Sequence, residues 1–376
     1  MTDAEILALI PQWQSEASGR SASSFWRWLK KNGYQIGKTR IERLLRENSA
    51  QLIPRRVREW EALGKNGEIV KLRHVSYDVG IDWRDVIRET VRAEVKPLPP
   101  ADYKPSGNML GVLSFPDLHL GQLSWGREVG SNYDSSIATQ RYLAAAAYLI
   151  EYLNEVGVGR VLYVVGNDLM HVDGNNNTTT AGTPQDADSR WQYMLIRARR
   201  ITETVVNELA KFAEVDVVIM PGNHDWHLAY ALGHIIDARY SEHENVHVDN
   251  EPRDRKYRRY GKLLFGIAHG DRVRDNDLPL LMAEEAAKDW GGVVWKEWLL
   301  GHIHRKKVVR QLDVGERMGV QLTFLPSLNE MDRWHYKNGF RSKQAAEVRV
   351  YDPDIGVLHS TRHYYPVVMS NGEEGK

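Results

Sequence analysis

Five short polar clusters hold the residue types from which a metal centre could be built. They are FPDLHLG with Asp117 and His119, VVGNDLMH with Asp168 and His171, PGNHD with Asn223, His224 and Asp225, AHGD with His269, and LLGHIH with His302 and His304. Imidazole, carboxylate and amide donors without sulfur suit borderline or hard divalent ions such as Mn2+, Fe2+ or Zn2+. The chain has no cysteine, which excludes disulfides, thiolate zinc sites and a thiol nucleophile. Seven of these side chains (Asp117, His119, Asp168, Asn223, His269, His302 and His304) are candidate metal ligands. That is too many for one tetrahedral zinc, which takes four. A pair of ions sharing a bridging carboxylate uses them naturally. Paired ions clamp the oxygens of a displaced phosphate and generate hydroxide near neutral pH.

Segments so far apart in the chain meet only if a scaffold gathers them. Each cluster follows an apolar run, and polar side chains that compete for backbone hydrogen bonds belong in a turn at a strand's carboxyl end. From residue 108 the pattern alternates: strand MLGVLSF, helix SSIATQRYLAAAAYLIEYLNEV, strand RVLYVV, helix DSRWQYMLIRARRITETVVNELAKF, strand VDVVIM, then a helix near HLAYALGHIIDA. This predicts βαβ units on a parallel sheet. From KLLFGIAHG onward short strands dominate (VVWKEWLLG, KKVVRQL, GVQLTFLP, AAEVRVY, GVLHSTRHYY), which predicts a second, partly antiparallel sheet. The expected fold is α/β, two stacked mixed sheets flanked by helices, with ligands at the carboxyl edge of the strands.

The ordered set D-x-H, G-N-D, G-N-H-D, H-G and G-H-x-H resembles the calcineurin-like metallophosphoesterases over residues 110 to about 330. The resemblance implies a four-layer sandwich with two divalent ions, Mn2+ first among them and Fe2+, Zn2+, Ni2+ or Mg2+ as alternatives. One ion would take Asp117, His119, Asp168 and His304; the other would take Asp168, Asn223, His269 and His302. Asp168 would bridge, His224 would face the leaving-group oxygen, and Asp225 would hold the His224 ring. The family usually has Gly directly before the bridging Asp, whereas Asn167 intervenes here; a shared anion between two cations favours Asp168. DLMH is similar to the DLFH stretch of SbcD-like double-strand-break repair nucleases, which makes His171 a candidate for orienting the scissile phosphate. His227, His234, His243 and His247 read as structural histidines, and Asp173, Asp271 and His335 as surface or supporting residues.

The formal net charge is zero, yet residues 20 to 58 hold eleven Lys or Arg against Glu42 and Glu47. Residues 1–50 are expected to form helices, with GYQIG as the turn of a helix-turn-helix pattern that could neutralise DNA phosphates. The Trp-rich FWRWLKK helix could equally be core packing with a solvated basic face. Residues 51–107 read as a mixed accessory segment ending in the extended linker KPLPPADYKPSG, residues 108–366 as the metallophosphoesterase domain, and 367–376 as a flexible tail. There is no basic leader before an apolar core and no apolar run long enough to span a bilayer, so a soluble, cytoplasmic protein is expected.

The expected activity is a binuclear phosphodiesterase, with DNA as substrate and exonuclease-like cleavage. Alternatives remain open: a phosphodiesterase or phosphatase acting on nucleotides, small esters or phosphoprotein, or a DNA-binding adaptor with a structural metal site. The strand-like residues after His304 leave little room for the module by which SbcD-like nucleases engage an ATPase, so that partner is not expected.

Overall fold

Apolar runs too continuous for a half-exposed strand need cover on both faces, and this chain supplies it in layers. The computed structural model describes residues 3–7, 9–10, 12–13, 22–47, 52–63, 69–79, 95–99, 107–302, 314–339 and 344–365. His304 and the expected strand KKVVRQL lie outside the described residues. Two compact units, Met1–Thr90 and Val91–Lys376, divide the chain.

The first unit begins with α1 (Asp3–Leu7), α2 (Ala22–Lys31) and α3 (Lys38–Glu47). Ile6, Trp13, Phe25, Trp28, Leu29 and Ile41 form its buried core, so Trp28 of FWRWLKK is a packing residue. Its neighbour Trp26 donates from the indole to the Ile36 carbonyl at 3.0 Å. Gly33, at φ 85°, turns the chain between α2 and α3. The stretch read as mixed contains an antiparallel pair, β1 (Leu52–Leu63) and β2 (Ile69–Val79), with Trp60 opposite Leu72 and Val57 opposite Val75. Dense charge in RRVREWE hides the strand alternation there.

The second unit holds two sheets. The first contains β3 (Leu110–Ser114), β4 (Arg160–Gly166), β5 (Glu214–Met220) and β6 (Val246–Asp249), all parallel, with β12 (Ala345–Asp352) antiparallel to β3 and β13 (Gly356–Tyr364) at the edge. The second sheet runs β10 (Val314–Arg317), β11 (Val320–Phe324), β9 (Trp295–Leu300), β8 (Leu263–Ala268) and β7 (Arg255–Tyr260). Within it β11, β9 and β8 are parallel, and the two edge strands are antiparallel to their neighbours. The two stacked mixed sheets expected from sequence are therefore present.

Period-two alternation sorts the side chains between layers. Leu162 and Val164 of β4 meet Phe265 and Ile267 of β8 between the sheets. Val161, Tyr163 and Val165 face the crossover helices α5 (Ser135–Val156), α6 (Trp191–Leu209) and α7 (Trp226–Arg239). On the far side of the second sheet, Trp298 and Leu300 pack with Leu278 and Met282 of α8 (Leu278–Glu285), which the short α9 (Ala287–Trp290) follows. Asp134 caps α5 by accepting from the backbone N–H groups of Ser136 and Ile137, both at 2.8 Å. Residues 96–98 of the expected linker are tied to this unit, where the Leu98 N–H donates to the Arg239 carbonyl at 2.8 Å. No helix among the described residues is long and apolar enough to cross a membrane.

Parallel pairing in register places the carboxyl ends of β3, β4 and β5 side by side, with Ser114 opposite Val164 and Gly166 opposite Met220. Ala268 lies opposite Leu300 at the ends of β8 and β9. Every polar cluster read from the sequence leaves from one of these strand ends.

Candidate metal centre

The turns after β3 and β4 are joined by backbone hydrogen bonds. Asp117 N–H donates to the Asn167 carbonyl at 2.7 Å, His119 to that of Asp168 at 3.0 Å, and Leu120 to that of Leu169 at 2.8 Å. Leaving the sheet this sharply requires unusual backbone. Gly166 has φ 110°, and a Cβ there would stand 2.0 Å from the Met220 carbonyl oxygen. Asp117 (φ 56°), His119 (49°), Asn167 (52°), Asp168 (63°) and His302 (61°) are all left-handed, leaving only Asn177 and Met318 as other non-glycine cases among the described residues. Each costs roughly 1–2 kcal/mol, and strain concentrated at one rim points to a site that needs it.

Asp168 is the meeting point. Its Oδ1 accepts from the His224 backbone N–H at 2.7 Å, and its Oδ2 lies 3.1 Å from His269 Nε2. Gly222 makes room for it, since a Cβ there would fall 2.0 Å from Asp168 Oδ1. Donor atoms of Asp168, His269 and His302 lie within 4.8 Å of one another, as do those of Asp117, His119 and Asp168. Asp117 Oδ2 accepts from the His302 backbone N–H at 2.8 Å, which links the two sheets' turns.

The donor set fits cations. His269 Nε2 is 3.0 Å from Asn223 Oδ1, 3.0 Å from His302 Nδ1 and 3.1 Å from Asp168 Oδ2. A ring nitrogen offers one proton or one lone pair, so it cannot serve a carboxylate, an amide oxygen and a second imidazole together. A divalent ion among the four would be served by all of them. Without one, burial pulls the His269 pKa down, but the charge of Asp168 and its hydrogen bond outweigh this and raise it to about 9. Burial likewise pushes the Asp168 carboxyl up, and His269 and His224 together overcome it, holding the group well below the usual carboxylate range.

Beside this cluster His119, His171 and His224 form a group of imidazoles, with the His171 and His224 ring centroids 5.3 Å apart. Nδ1 of His171 lies 3.2 Å from Nδ1 of His119. Burial and the nearby His224 lower the His171 pKa to about 3, so this ring is neutral. His224 Nδ1 donates to the His171 carbonyl at 2.9 Å.

One expectation needs correction. Asp225 does not hold the His224 ring: its Oδ1 accepts from the Gly222 N–H at 2.9 Å and its Oδ2 from the Met170 N–H at 3.1 Å. The carboxyl is fully buried, and backbone donors already occupy both oxygens, so the His224 ring turns to the His171 carbonyl instead. Burial and the neighbouring Asp168 raise the Asp225 pKa to about 7.

The structure thus brings Asp117, His119, Asp168, His171, Asn223, His224, His269 and His302 to one rim; His304 lies outside the described residues. His234 and His243 are buried elsewhere, edge-on to Tyr230 and Tyr240. His247 is exposed. His227 Nδ1 is 2.6 Å from Asp173, and His335 Nδ1 is 2.7 Å from Asp332. Two supporting residues carried no sequence signal: Ser327, whose hydroxyl donates to the Asp117 carbonyl at 2.7 Å, and Asp332, which lies within electrostatic reach of His171. Both arrive from far along the chain, and neither belongs to a spaced motif.

No family model matches the chain, and no curated protein matches it. Among solved structures it is similar to a Vps29 double mutant from Entamoeba histolytica, at 12% identity and TM-score 0.27, over 69% of this chain and 99% of that one. It is also similar to Vps29 from Chaetomium thermophilum, at 11% identity and TM-score 0.29, over 69% of this chain and 100% of that one. A third is a dimetal phosphatase from Danio rerio, at 11% identity and TM-score 0.36, over 70% of this chain and 100% of that one.

Proposed function

We propose that the chain is a calcineurin-like metallophosphoesterase that uses two divalent cations, Mn2+ first among the candidates, to hydrolyse phosphodiester bonds, with DNA as its substrate. The observation that carries this reading is the position of Asp168, whose carboxylate belongs to two donor groups at once. Asp117, His119 and Asp168 would hold one ion, with His304 completing the set by family resemblance; Asp168, Asn223, His269 and His302 would hold the other. When bound, such ions neutralise charge on phosphate oxygens and acidify water.

The chain's own groups do the rest. His224 donates its Nδ1 proton to the His171 carbonyl, which leaves Nε2 for the substrate; protonated there as well, the ring would pass that second proton to the departing alcohol and return to its neutral Nδ1–H form. His171 is neutral and buried against His119, and it positions the phosphate. Asp225 ties the turn after β4 to the turn after β5 through Met170 and Gly222, so it fixes where His224 starts. The likeness of DLMH to the SbcD-like nucleases and the basic stretch from residue 20 to 58 support nucleic acid over a smaller ester.

Metal-free protein should be supplied with Mn2+ and offered a labelled DNA strand, a small phosphodiester and a phosphomonoester. DNA degradation is the expected result. Cleavage of the small esters alone would move the activity to the nucleotide level, and no cleavage of any would favour an adaptor with a structural site.

A further inference from the structure

Two exposed tryptophans lie at short helices whose neighbouring segments are hydrogen-bonded to the ligand-bearing turn after β3. Trp125 is 59% exposed, just ahead of the single-turn helix α4 (Gly126–Val129), and Trp334 is 49% exposed on α10 (Arg333–Lys337). The two short helices pack against each other and are joined by Arg333 Nε and Glu128 Oε1 at 2.9 Å. Both indoles keep about half of their surface open to solvent, which offers apolar area to a planar ligand.

Both segments are anchored to the ligand-bearing turns. Gln122, three residues after His119, donates from its amide to the Glu330 carbonyl at 2.9 Å. Ser327 donates to the Asp117 carbonyl. Asp332, the cap residue of α10, accepts from the His335 N–H and from His335 Nδ1, both at 2.7 Å, while facing the field of His171. The His335 ring in turn stands edge-on to Trp334 at 5.1 Å between centroids. Arg127 lies over the Trp125 ring at 6.0 Å, and Arg333, next to Trp334 in the chain, is the residue paired with Glu128.

Resting on the phosphodiesterase reading above, we infer that Trp125 and Trp334 form a base-stacking subsite for the nucleotide adjoining the scissile phosphate, selecting single-stranded nucleic acid over base-free diesters. Aromatic planes accept any base through its π-face, and the nearby arginines suit the backbone phosphates. This chemistry distinguishes the rim from the metal cluster, which recognises phosphate alone.

The test compares the full chain with its W125A/W334A and W125F/W334F variants in Mn2+. The binding probes are a short fluorescein-labelled oligothymidylate with phosphorothioate linkages and an abasic oligomer of equal length. Wild-type protein should bind the base-bearing strand about tenfold more tightly than the abasic one. The alanine pair should lose that preference, and the phenylalanine pair should keep most of it. Hydrolysis of ethyl 4-nitrophenyl phosphate, which has no base, should be unchanged in all three. Absence of preference in wild type, its survival in the alanine pair, or loss of ethyl 4-nitrophenyl phosphate hydrolysis in that pair would each overturn the subsite. So would concentration-dependent self-association that the alanine pair abolishes, since that would make the indoles an interface between copies. A wild-type chain inert toward every diester would instead sink the functional reading, and the binding preference would still report on stacking.

Discussion

His224 takes its tautomer from backbone. A carbonyl can only accept, so the His171 oxygen at 2.9 Å fixes the proton on Nδ1 and leaves Nε2 to act on substrate. His224→Ala should therefore lower turnover by about 10²–10⁴-fold while elemental analysis still finds the wild-type metal content; equal loss of both would remove the role given to it. The ligand histidine makes a different claim. In metal-free protein the His269 pKa is raised from 6.5 to about 9, because Asp168 outweighs burial. The sign follows: the pair stabilises the metal-free fold fully below pH 6.5 and loses that contribution as pH rises through about 9. A cation must displace this proton, so loading near pH 7 should release about one proton for His269, and affinity should rise roughly tenfold per pH unit up to that range. Calorimetry in buffers of different ionisation enthalpy reads the proton directly. No release would mean that His269 is not a ligand.

Between the sheets, one element is fastened to another by a buried charge. Glu297 of β9 is fully buried and accepts from Thr323 at 2.6 Å, Trp295 at 2.8 Å, Gln321 at 3.0 Å, and Arg349 and Tyr351 at 3.1 Å each. Thr323 and Gln321 belong to the neighbouring β11, whereas Arg349 and Tyr351 come from β12 of the other sheet. Arg349 is itself held by Glu347 at 2.5 Å. Removing one member strands the others without solvent. Glu297→Ala should cost about 3–5 kcal/mol in urea unfolding, and Glu297→Gln, which retains acceptors, should cost less. A loss below about 1 kcal/mol in the alanine variant would show that water replaces the carboxylate. Because β9 and β11 lead toward the rim, this pin also sets the height at which the His302 turn emerges.

Charge is distributed unevenly over the molecule although it sums to zero. Lys30, Lys31 and Lys38 are exposed on the first unit, and Trp26 supports Lys30 at 4.7 Å through a cation–π contact. If this unit contributes phosphate contacts, the K30Q/K31Q/K38Q variant of the full chain should weaken DNA binding. The slope of log affinity against log salt should fall by about 2 to 3, at roughly 0.7–0.9 per lost contact. An unchanged slope would leave the basic face as a solvated surface and would assign DNA contact to the second unit alone. Hydrolysis of a small diester by the same variant should match wild type, because every candidate ligand lies in the second unit.

The strand ends and their polar clusters were legible in the sequence because period-two burial and turn chemistry are local properties. The helix SSIATQRYLAAAAYLIEYLNEV spans Ser135–Val156 as expected, and VDVVIM falls inside β5. Charge favours Asp168 over Asn167 as the shared anion; in the structure the Asp168 carboxylate lies among the imidazoles, and the Asn167 side-chain amide is buried without a hydrogen bond. Partners in space were not legible. That Asp225 serves the Gly222 and Met170 backbone, that Asp332 faces His171, and that β1 pairs with β2 depend on contacts between segments with no shared motif. Spacing reports which residues leave a strand end; only the packed sheets decide which oxygen each donor meets, because burial leaves a polar atom no water to turn to.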